Sequence, residues 1–189
     1  SMSAMRRHRS RAAKAALLFL VAAALLFGRP AAADTSEDAG DVLRLAIPAA
    51  AFAMTFRRDD RDGRRQFYRS FAANIGATFA LKALVDDERP DGSGDDSFPS
   101  GHASVAFHGA AFIHRRYGIR RAWPAYLLAG YVGVSRIDAD KHDEADVVAG
   151  AAIGTAAAFL LTDPHPDRRA VVVPAAAEGY AGITVLGRF

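Results

Sequence analysis

A histidine and an aspartate, His142 and Asp146, lie four residues apart in the second half of the chain. If a helix has begun there, the two side chains share one helix face. A carboxylate in that position holds one imidazole nitrogen protonated and leaves the other with its lone pair, which is the arrangement of a nucleophile with its supporting acid. The same pattern also suits a surface salt-bridge patch, since residues 138–144 carry several charges.

A second histidine, His102, follows Pro99, Ser100 and Gly101 and stands directly before an apolar stretch. Ser100 is a preferred N-cap, and Gly101 lets an anion approach the backbone closely. A helix start with exposed N–H groups binds phosphate readily, and here a titratable histidine lies beside it. An ordinary helix start with an incidental histidine would give the same pattern.

Three cations accompany these histidines. Lys82 and Arg89 are seven positions apart, and Pro90 ends the helix on which they begin. An ammonium and a guanidinium can converge on one anion from a helix end, the guanidinium with two parallel hydrogen bonds. Arg136, six positions before His142, would add a further phosphate contact. Taken alone, these charges equally fit solvated helix ends.

Taken together, the three segments resemble the signature of the type 2 phosphatidic acid phosphatase superfamily, which also contains bacterial class A acid phosphatases and vanadium-dependent haloperoxidases. The separate alternatives would have to coincide in spacing and order, so the joint match favours the functional interpretation. Eleven positions match the signature in order: Lys82, Arg89, Pro90, Pro99, Ser100, Gly101, His102, Ser135, Arg136, His142 and Asp146.

The resemblance implies a division of roles. His142 would attack phosphorus and form a phosphohistidine, with Asp146 orienting and supporting it. His102 would protonate the leaving oxygen and then activate water. Positioning and charge stabilisation dominate phosphoryl transfer, so the site could act without a metal ion, and no cofactor is expected. The phosphate oxygens would be bound by Lys82, Arg89, Ser100, Gly101 and Arg136.

Five apolar stretches that follow an N-terminal leader must position these residues. Their alanine-rich composition and their length favour helices over strands. They cover residues 43–56, 70–85, 103–113, 122–134 and 147–161. With the leader, the sequence predicts an all-α, six-helix bundle, and the resemblance places the active site at one end of it. His108, inside one of these stretches, reads as a buried core residue.

The two ends of the chain differ from this helical domain. Residues 1–33 read as a signal peptide or an uncleaved membrane anchor, because basic residues precede an apolar run and small residues follow it. In the tail, 170–189, two β-branched runs flank a glycine-containing stretch and predict a small β-hairpin. The expected domain boundaries are therefore 1–33, 34–169 for the helical phosphatase domain, and 170–189.

The connectors alternate in charge: 57–65 and 115–121 are rich in arginine, whereas 86–96 and 138–146 are rich in acid. If the leader enters the membrane from the cytoplasm, both arginine-rich loops fall inside, as the positive-inside rule expects, and the motifs fall outside. The apolar runs are shorter than the about 20 residues of a span. We expect an inner-membrane protein with a periplasm-facing site, with a soluble periplasmic bundle as the alternative.

The expected activity is metal-independent hydrolysis of phosphomonoesters or diphosphates, with a lipid phosphate as the favoured substrate. Isoprenyl diphosphate, phosphatidic acid and a lipid A type anchor all fit. A soluble bundle would favour small phosphate esters, as in a non-specific acid phosphatase. The chain of 189 residues is short for a vanadate-dependent haloperoxidase, and a non-catalytic phosphate-binding envelope protein is a further alternative.

The composition of the chain excludes several kinds of site and of partner. The chain has no cysteine, which excludes disulfides, thiolate metal sites and a cysteine nucleophile. The net charge is +3, and the basic residues form short clusters instead of one broad face, so nucleic acid is not an expected partner. The acidic residues around the motifs would disfavour highly anionic substrates or attract divalent cations, unless they only keep an outer loop soluble. No oligomeric state is predicted.

Overall fold

The computed structural model describes residues 34–166, 171–177 and 180–186. The predicted leader helix lies outside these residues, so the six-helix count stays a prediction. Each of the five predicted helical stretches overlaps one observed helix, and the all-α prediction is confirmed for residues 34–166. The five helices are α1 Asp34–Arg57, α2 Arg61–Lys82, α3 Gly101–Tyr117, α4 Ile119–Asp138 and α5 Glu144–Leu161.

Most of the helices begin before their apolar stretches because polar capping residues set their starts. The side chain of Asp60 accepts a hydrogen bond from the N–H of Gly63 at 2.9 Å. Ser100 accepts one from the N–H of Ala103 at 3.4 Å. Each bond satisfies a donor that a first helical turn would otherwise leave unpaired. The apolar pattern also misses the polar first turns of α1, which begins at Asp34.

Helix α3 lies at the centre of the bundle and packs against the other four helices. Its approach to α5 is close because glycines of α5 face the α3 backbone. A Cβ on Gly150 would collide with the carbonyl oxygen of Ser100, and a Cβ on Gly154 with that of Ser104. Any side chain at these two positions would force the two helices apart, since interiors are close-packed.

The core around α2 and α3 is aromatic. Phe67 and Phe112 are buried and meet edge to face, with ring centroids 5.0 Å apart. His108 is fully buried beside them, and its Nε2 lies 2.9 Å from the hydroxyl oxygen of Ser70. The interpretation of His108 as a core residue is therefore confirmed.

Large apolar side chains remain exposed on the outside of the bundle. On α4, Trp123, Leu127 and Tyr131 are 56%, 67% and 41% exposed and recur at helical spacing. Helices α1 and α5 are long and apolar enough to cross a membrane by length and composition, over Thr35–Arg57 and Glu144–Leu161. These two helices have 24 and 18 residues, so the length of the apolar runs no longer argues against a span at these two positions.

Two strands follow the helices, β1 Val171–Ala177 and β2 Tyr180–Leu186. They pair antiparallel along their whole length. Both lie in the segment 170–189, for which the sequence predicts a hairpin tail. Residues 178–179 lie outside the described residues.

A buried ion pair closes the end of the bundle where α1 meets α2 and α3 meets α4. Asp60 accepts hydrogen bonds from the Arg116 guanidinium at 2.6 and 2.7 Å, and from the Tyr117 hydroxyl at 2.8 Å. Burial alone would raise the pKa of Asp60, but the hydrogen bonds from Arg116, Gly63 and Tyr117 outweigh it and lower the pKa to about 2. The ionised carboxylate therefore stabilises the fold above its unfolded pKa of about 3.9, and this stability is lost as the pH falls through about 2.

Replacing Asp60 by asparagine should destabilise the protein strongly, because the buried Arg116 guanidinium then lacks its counter-charge. Breaking a buried pair in this way costs about 3–5 kcal/mol. The matched control is Asp62→Asn, an exposed aspartate in the first turn of α2, which should change the free energy of unfolding by less than about 0.5 kcal/mol. Thermal unfolding at neutral pH compares the two variants, and equal melting temperatures would contradict a stabilising role for the pair.

Candidate active site

The predicted site residues meet at the opposite end of the bundle. Helix α2 ends at Lys82, and α3 begins at Gly101, next to His102. Helix α4 carries Arg136 in its last turn, and α5 begins two residues after His142. The start of α1 lies against the same group of helix ends. A cavity of about 180 Å³ opens between them, lined by Glu37, Asp41, Arg44, Arg89, His102, Arg136, Lys141 and His142.

His142 and Asp146 are buried and in contact. Nδ1 of His142 lies 3.3 Å from Oδ2 of Asp146 and 3.2 Å from the hydroxyl oxygen of Ser97. The Ser97 hydroxyl also donates to the same Oδ2. Because Nδ1 faces an anion, it carries the ring proton, and Nε2 keeps its lone pair for the cavity. Burial is the main reason that the pKa of His142 is lowered, against the opposing effect of Asp146, which favours a neutral, nucleophilic ring.

A capping box at the start of α5 fixes Asp146. The N–H of Asp146 donates to Oδ1 of Asp143 at 3.0 Å, and the N–H of Asp143 donates to Oδ2 of Asp146 at 3.2 Å. Such reciprocal bonds satisfy two donors of a first helical turn. They also turn the Asp146 carboxylate back toward His142, so a local rule of helix starts positions the group that supports the histidine.

The segment Pro99–His102 joins α3 to α5. The N–H of Ser100 donates to the carbonyl oxygen of Asp146 at 3.0 Å, while the Ser100 side chain caps α3. The side chain of Lys82 passes over Gly101, with its Cε 4.0 Å from the place that a Cβ of Gly101 would take. Lys82, Ser100 and Gly101 are therefore adjacent, but they are not among the residues that line the cavity.

In the loop between α2 and α3, Asp96 contacts both cations of the first motif. Nζ of Lys82 donates to the carbonyl oxygens of Asp96 and Ser97, and the Arg89 guanidinium donates to Oδ1 of Asp96 at 2.9 and 3.1 Å. The apolar pattern predicts a helix as far as Val85, but α2 ends at Lys82. Arg89 therefore reaches the cavity from a loop and not from a helix face.

His102 is paired with an acidic residue of α1. Nε2 of His102 lies 2.7 Å from Oδ1 of Asp41 and 3.5 Å from Nη1 of Arg136. Burial first, and then the positive charges of Arg44 and Arg136, lower the pKa of His102 to about 4, while Asp41 acts in the opposite direction. A phosphate group bound near these cations would act as Asp41 does and favour the protonated ring.

Arg136 is 3% exposed on its side chain and is bound by the first turns of α1. Its guanidinium donates to the carbonyl oxygen of Glu37 at 2.9 Å and to Oδ1 of Asp41 at 3.2 Å. Its motif neighbour Ser135 instead bonds within α4. Arg44, in the same cavity wall, has a buried Nε with no hydrogen-bond partner among the described residues. Helix α1 thus adds two carboxylates and one guanidinium to the site.

Two acidic residues of the loops around the cavity, Asp91 and Asp96, are paired with basic ones. Oδ2 of Asp91 lies 2.5 Å from Nζ of Lys141, and this hydrogen bond is the main cause that lowers the pKa of Asp91. Asp96 pairs with Arg89 in the same way. The rim of the cavity therefore carries less free negative charge than the sequence alone indicates, which weakens the expected exclusion of anionic substrates.

Sequence reasoning missed several residues that line the cavity or contact the predicted ones, among them Glu37, Asp41, Arg44 and Ser97. The first three recur at intervals of four and three residues, which is helical spacing, but they precede the apolar stretch from which the helix was inferred. Asp41 is 61 residues from His102, and Ser97 is 49 residues from Asp146. No local pattern links residues so far apart.

A family model for the PAP2 superfamily matches residues 3–170. The match covers far more than half of the chain, and the chain belongs to this superfamily. The resemblance inferred from the three motifs is therefore confirmed at the level of the family.

Two bacterial proteins are similar to this chain in sequence. A protein named lipid A 4'-phosphatase from Helicobacter pylori is 27% identical over 162 residues, which are 80% of this chain and 81% of that protein. A protein named lipid A 1-phosphatase from Porphyromonas gingivalis is 44% identical over 69 residues, 35% of this chain but only 16% of that protein. The names of both relatives agree with the predicted enzyme class, a phosphoric monoester hydrolase.

Two solved structures have a similar fold. The crystal structure of Aquifex aeolicus LpxE superposes with a TM-score of 0.58 and 19% identity, over 71% of this chain and 87% of that one. The transmembrane PAP2 type phosphatidylglycerolphosphate phosphatase from Bacillus subtilis gives 0.53 and 23%, over 79% and 84%. At these identities the likeness concerns the fold alone.

The contact between Asp41 and His102 generates a test of the acid role that the resemblance implies for His102. Asp41→Asn removes the charge that favours the protonated imidazole, so kcat should fall about tenfold for a substrate with a poor leaving group, a fraction of the 10²–10⁴ that acid–base groups contribute. With p-nitrophenyl phosphate, whose leaving group needs no proton, the formation of the phosphoenzyme should be nearly unaffected.

The matched control is Glu37→Gln, because Glu37 contacts Arg136 in the same way as Asp41 but makes no recorded bond to His102. Steady-state kinetics on an alkyl phosphate and pre-steady-state kinetics on p-nitrophenyl phosphate separate the two effects. An equal loss on both substrates, or an equal loss in both variants, would contradict a role of Asp41 through His102.

Proposed function

We propose that this protein is a metal-independent phosphatase that hydrolyses phosphomonoesters or diphosphates of membrane lipids through a phosphohistidine on His142. One observation carries the proposal. The buried carboxylate of Asp146 and the hydroxyl of Ser97 both contact Nδ1 of His142, which leaves Nε2 of a neutral ring for a phosphorus atom in the cavity.

In the first half-reaction the Nε2 lone pair of His142 attacks phosphorus and the bond from phosphorus to the leaving oxygen breaks. His102 transfers a proton to that oxygen. The ring of His142 is then a phosphorylated imidazolium that keeps its Nδ1 proton and is stabilised by the Asp146 carboxylate. In the second half-reaction His102 takes a proton from water, the water oxygen attacks phosphorus, and the bond from phosphorus to nitrogen breaks to release phosphate.

The charge of the transferred group is offset by cations and by backbone dipoles. Arg89 and Arg136 line the cavity, and Lys82 lies at the start of α3 beside Gly101. The N–H groups of a helix start attract anions. A loose phosphoryl transition state spreads its charge over three oxygens, so positioned cations and N–H groups of this kind supply most of the stabilisation.

A lipid substrate is supported by the surface of the bundle and by the relatives. The cavity lies at the N-terminal ends of α1 and α5, the two helices that are long and apolar enough to span a membrane. A lipid held beside them would present its headgroup to the cavity. The two relatives are named for phosphatases of lipid A. Isoprenyl diphosphate and phosphatidic acid offer the same phosphate chemistry.

The charge of the loops supports a periplasm-facing site. The arginine-rich connectors 57–65 and 115–121 lie at the end of the bundle opposite to the cavity, between α1 and α2 and between α3 and α4. By the positive-inside rule that end belongs in the cytoplasm. The cavity then faces the periplasm, at the outer surface of the inner membrane.

The proposal is tested by release of inorganic phosphate from the purified full chain in detergent micelles. The panel contains a lipid A type phosphate, phosphatidic acid, an isoprenyl diphosphate and a soluble hexose phosphate, each with and without EDTA. We expect turnover of a lipid phosphate at least about tenfold faster than of the hexose phosphate, inhibition by vanadate, and no loss with EDTA. Preference for the hexose phosphate would instead favour a soluble acid phosphatase.

His142→Gln should lower kcat by at least about 10³-fold, the scale on which removal of a nucleophile acts. His114→Gln is the matched control, because His114 lies in the last turn of α3, at the end of the bundle remote from the cavity. It should keep activity within about twofold. Full activity of His142→Gln on every substrate would refute the proposed nucleophile.

A further inference from the structure

Ser97 is a buried serine that lies outside the three motifs but touches both members of the nucleophilic pair. It is 1% exposed. Its hydroxyl oxygen is 3.2 Å from Nδ1 of His142, and its hydroxyl donates to Oδ2 of Asp146. Nδ1 and Oδ2 are themselves 3.3 Å apart. The three polar atoms therefore form a closed triangle at the Nδ1 edge of the His142 ring.

The backbone around Ser97 is fixed from both sides. The N–H of Ser97 donates to the carbonyl oxygen of Asp87 at 2.9 Å, and its own carbonyl oxygen accepts a hydrogen bond from Nζ of Lys82 at 3.3 Å. Three residues later, the N–H of Ser100 donates to the carbonyl oxygen of Asp146 at 3.0 Å. The Ser97 hydroxyl is therefore held against the His142–Asp146 pair by main-chain bonds that do not involve that pair's side chains.

The donors and acceptors of the triangle fit one protonation pattern. A serine hydroxyl has one proton and two lone pairs. Its proton goes to Oδ2 of Asp146, which also accepts the N–H of Asp143 at 3.2 Å. The oxygen of Ser97 is then an acceptor, and so is Oδ2. Two acceptors face Nδ1 of His142, so a lone pair at Nδ1 would meet only negative charge, and the proton must lie there.

We propose that Ser97 is a positioning residue that holds the Asp146 carboxylate against Nδ1 of His142 and tempers its charge. This inference rests on the proposed function for its kinetic consequences only. In the phosphorylated state the imidazolium keeps its Nδ1 proton between the Ser97 oxygen and Asp146. The hydrogen bond from Ser97 makes the carboxylate a weaker base, which keeps the proton on the ring.

The direction of the pH effect follows from the charges around the ring. Burial, Lys82 and Arg89 lower the pKa of His142, and Asp146 raises it. Asp87 adds negative charge near Asp146. Burial first, and then the charge of Asp146, raise the pKa of Asp87 itself. Ser97→Ala removes one of the donors to the Asp146 carboxylate, so more of the carboxylate charge acts on the ring. The pKa of His142 should rise, and the acid limb of the profile of kcat/KM against pH should move to higher pH.

The closing experiment compares Ser97→Ala, Ser97→Thr and Ser70→Ala. Ser97→Ala should lower kcat about 10- to 100-fold, the scale seen when a partner that orients a catalytic ligand is lost, with KM within about twofold. Ser97→Thr keeps the hydroxyl and should restore at least about one fifth of kcat. Ser70→Ala removes a buried hydroxyl that contacts His108 and not the site, and should leave both kcat and the acid limb unchanged.

A direct readout does not depend on turnover. In protein labelled with ¹⁵N-histidine, the ring nitrogen shifts of His142, identified by their loss in His142→Gln, should report protonated Nδ1 and free Nε2. Because Asp146 still faces Nδ1 in Ser97→Ala, that variant should keep the tautomer, and the same shifts should titrate at higher pH than in the wild type. If turnover or the dependence on His142 fails while the tautomer shifts behave as described, the proposed function fails and the role of Ser97 stands. Wild-type kcat, acid limb and ring titration in Ser97→Ala would overturn the proposed role of Ser97, as would a lower Tm with the ring titration unchanged.

Discussion

Helices α3 and α5 approach each other through glycine, and the site depends on this close contact. The carbonyl oxygens of Ser100 and Ser104 lie where side chains on Gly150 and Gly154 would have to be. With the two helices at this distance, the N–H of Ser100 reaches the carbonyl oxygen of Asp146. The start of α3 and the start of α5 thereby meet, and each of them brings a histidine. A larger residue at either glycine would move the two histidines of the proposed reaction apart.

The second constraint is electrostatic. Four cationic side chains line a cavity of about 180 Å³, and such a concentration of positive charge in a partly buried place is costly unless it is balanced. In the structure the balance comes from the loop acids Asp91 and Asp96 and from the α1 acids Glu37 and Asp41. A bound phosphate group would take over part of this role. Binding of the anion and the arrangement of the acids are therefore linked.

Local motifs predict which residues lie together at the candidate site. Lys82, Arg89, His102, Arg136 and His142 were placed together from spacing and family resemblance, and the structure brings them to one end of the bundle. The helix ends were predicted less well, because polar caps such as Ser100 and Asp143 set them and not the apolar pattern. The contribution of α1 was missed, since Asp41 meets His102 only through the tertiary fold. Ser97 was missed for the same reason.

The capping box at the start of α5 shows how fold and proposed chemistry share one interaction. A carboxylate at the third position of a helix commonly bonds back to the chain before the first turn. Here that carboxylate belongs to Asp146, so the bond that starts the helix also holds the acid beside His142. The apolar outer surface and the site are joined in the same way, because α5 is both an apolar helix and the carrier of Asp146.

The central claim is that phosphate is carried by His142, and trapping of the phosphoenzyme tests it most directly. In rapid-quench experiments with p-nitrophenyl phosphate, the wild-type protein should give a transient, acid-labile and base-stable phosphoryl group that peptide mass spectrometry assigns to His142. His102→Asn should accumulate it, since the leaving group needs no acid but the attacking water lacks its base. Absence of a phosphoryl group in both proteins, or its attachment to any other residue, would contradict the account.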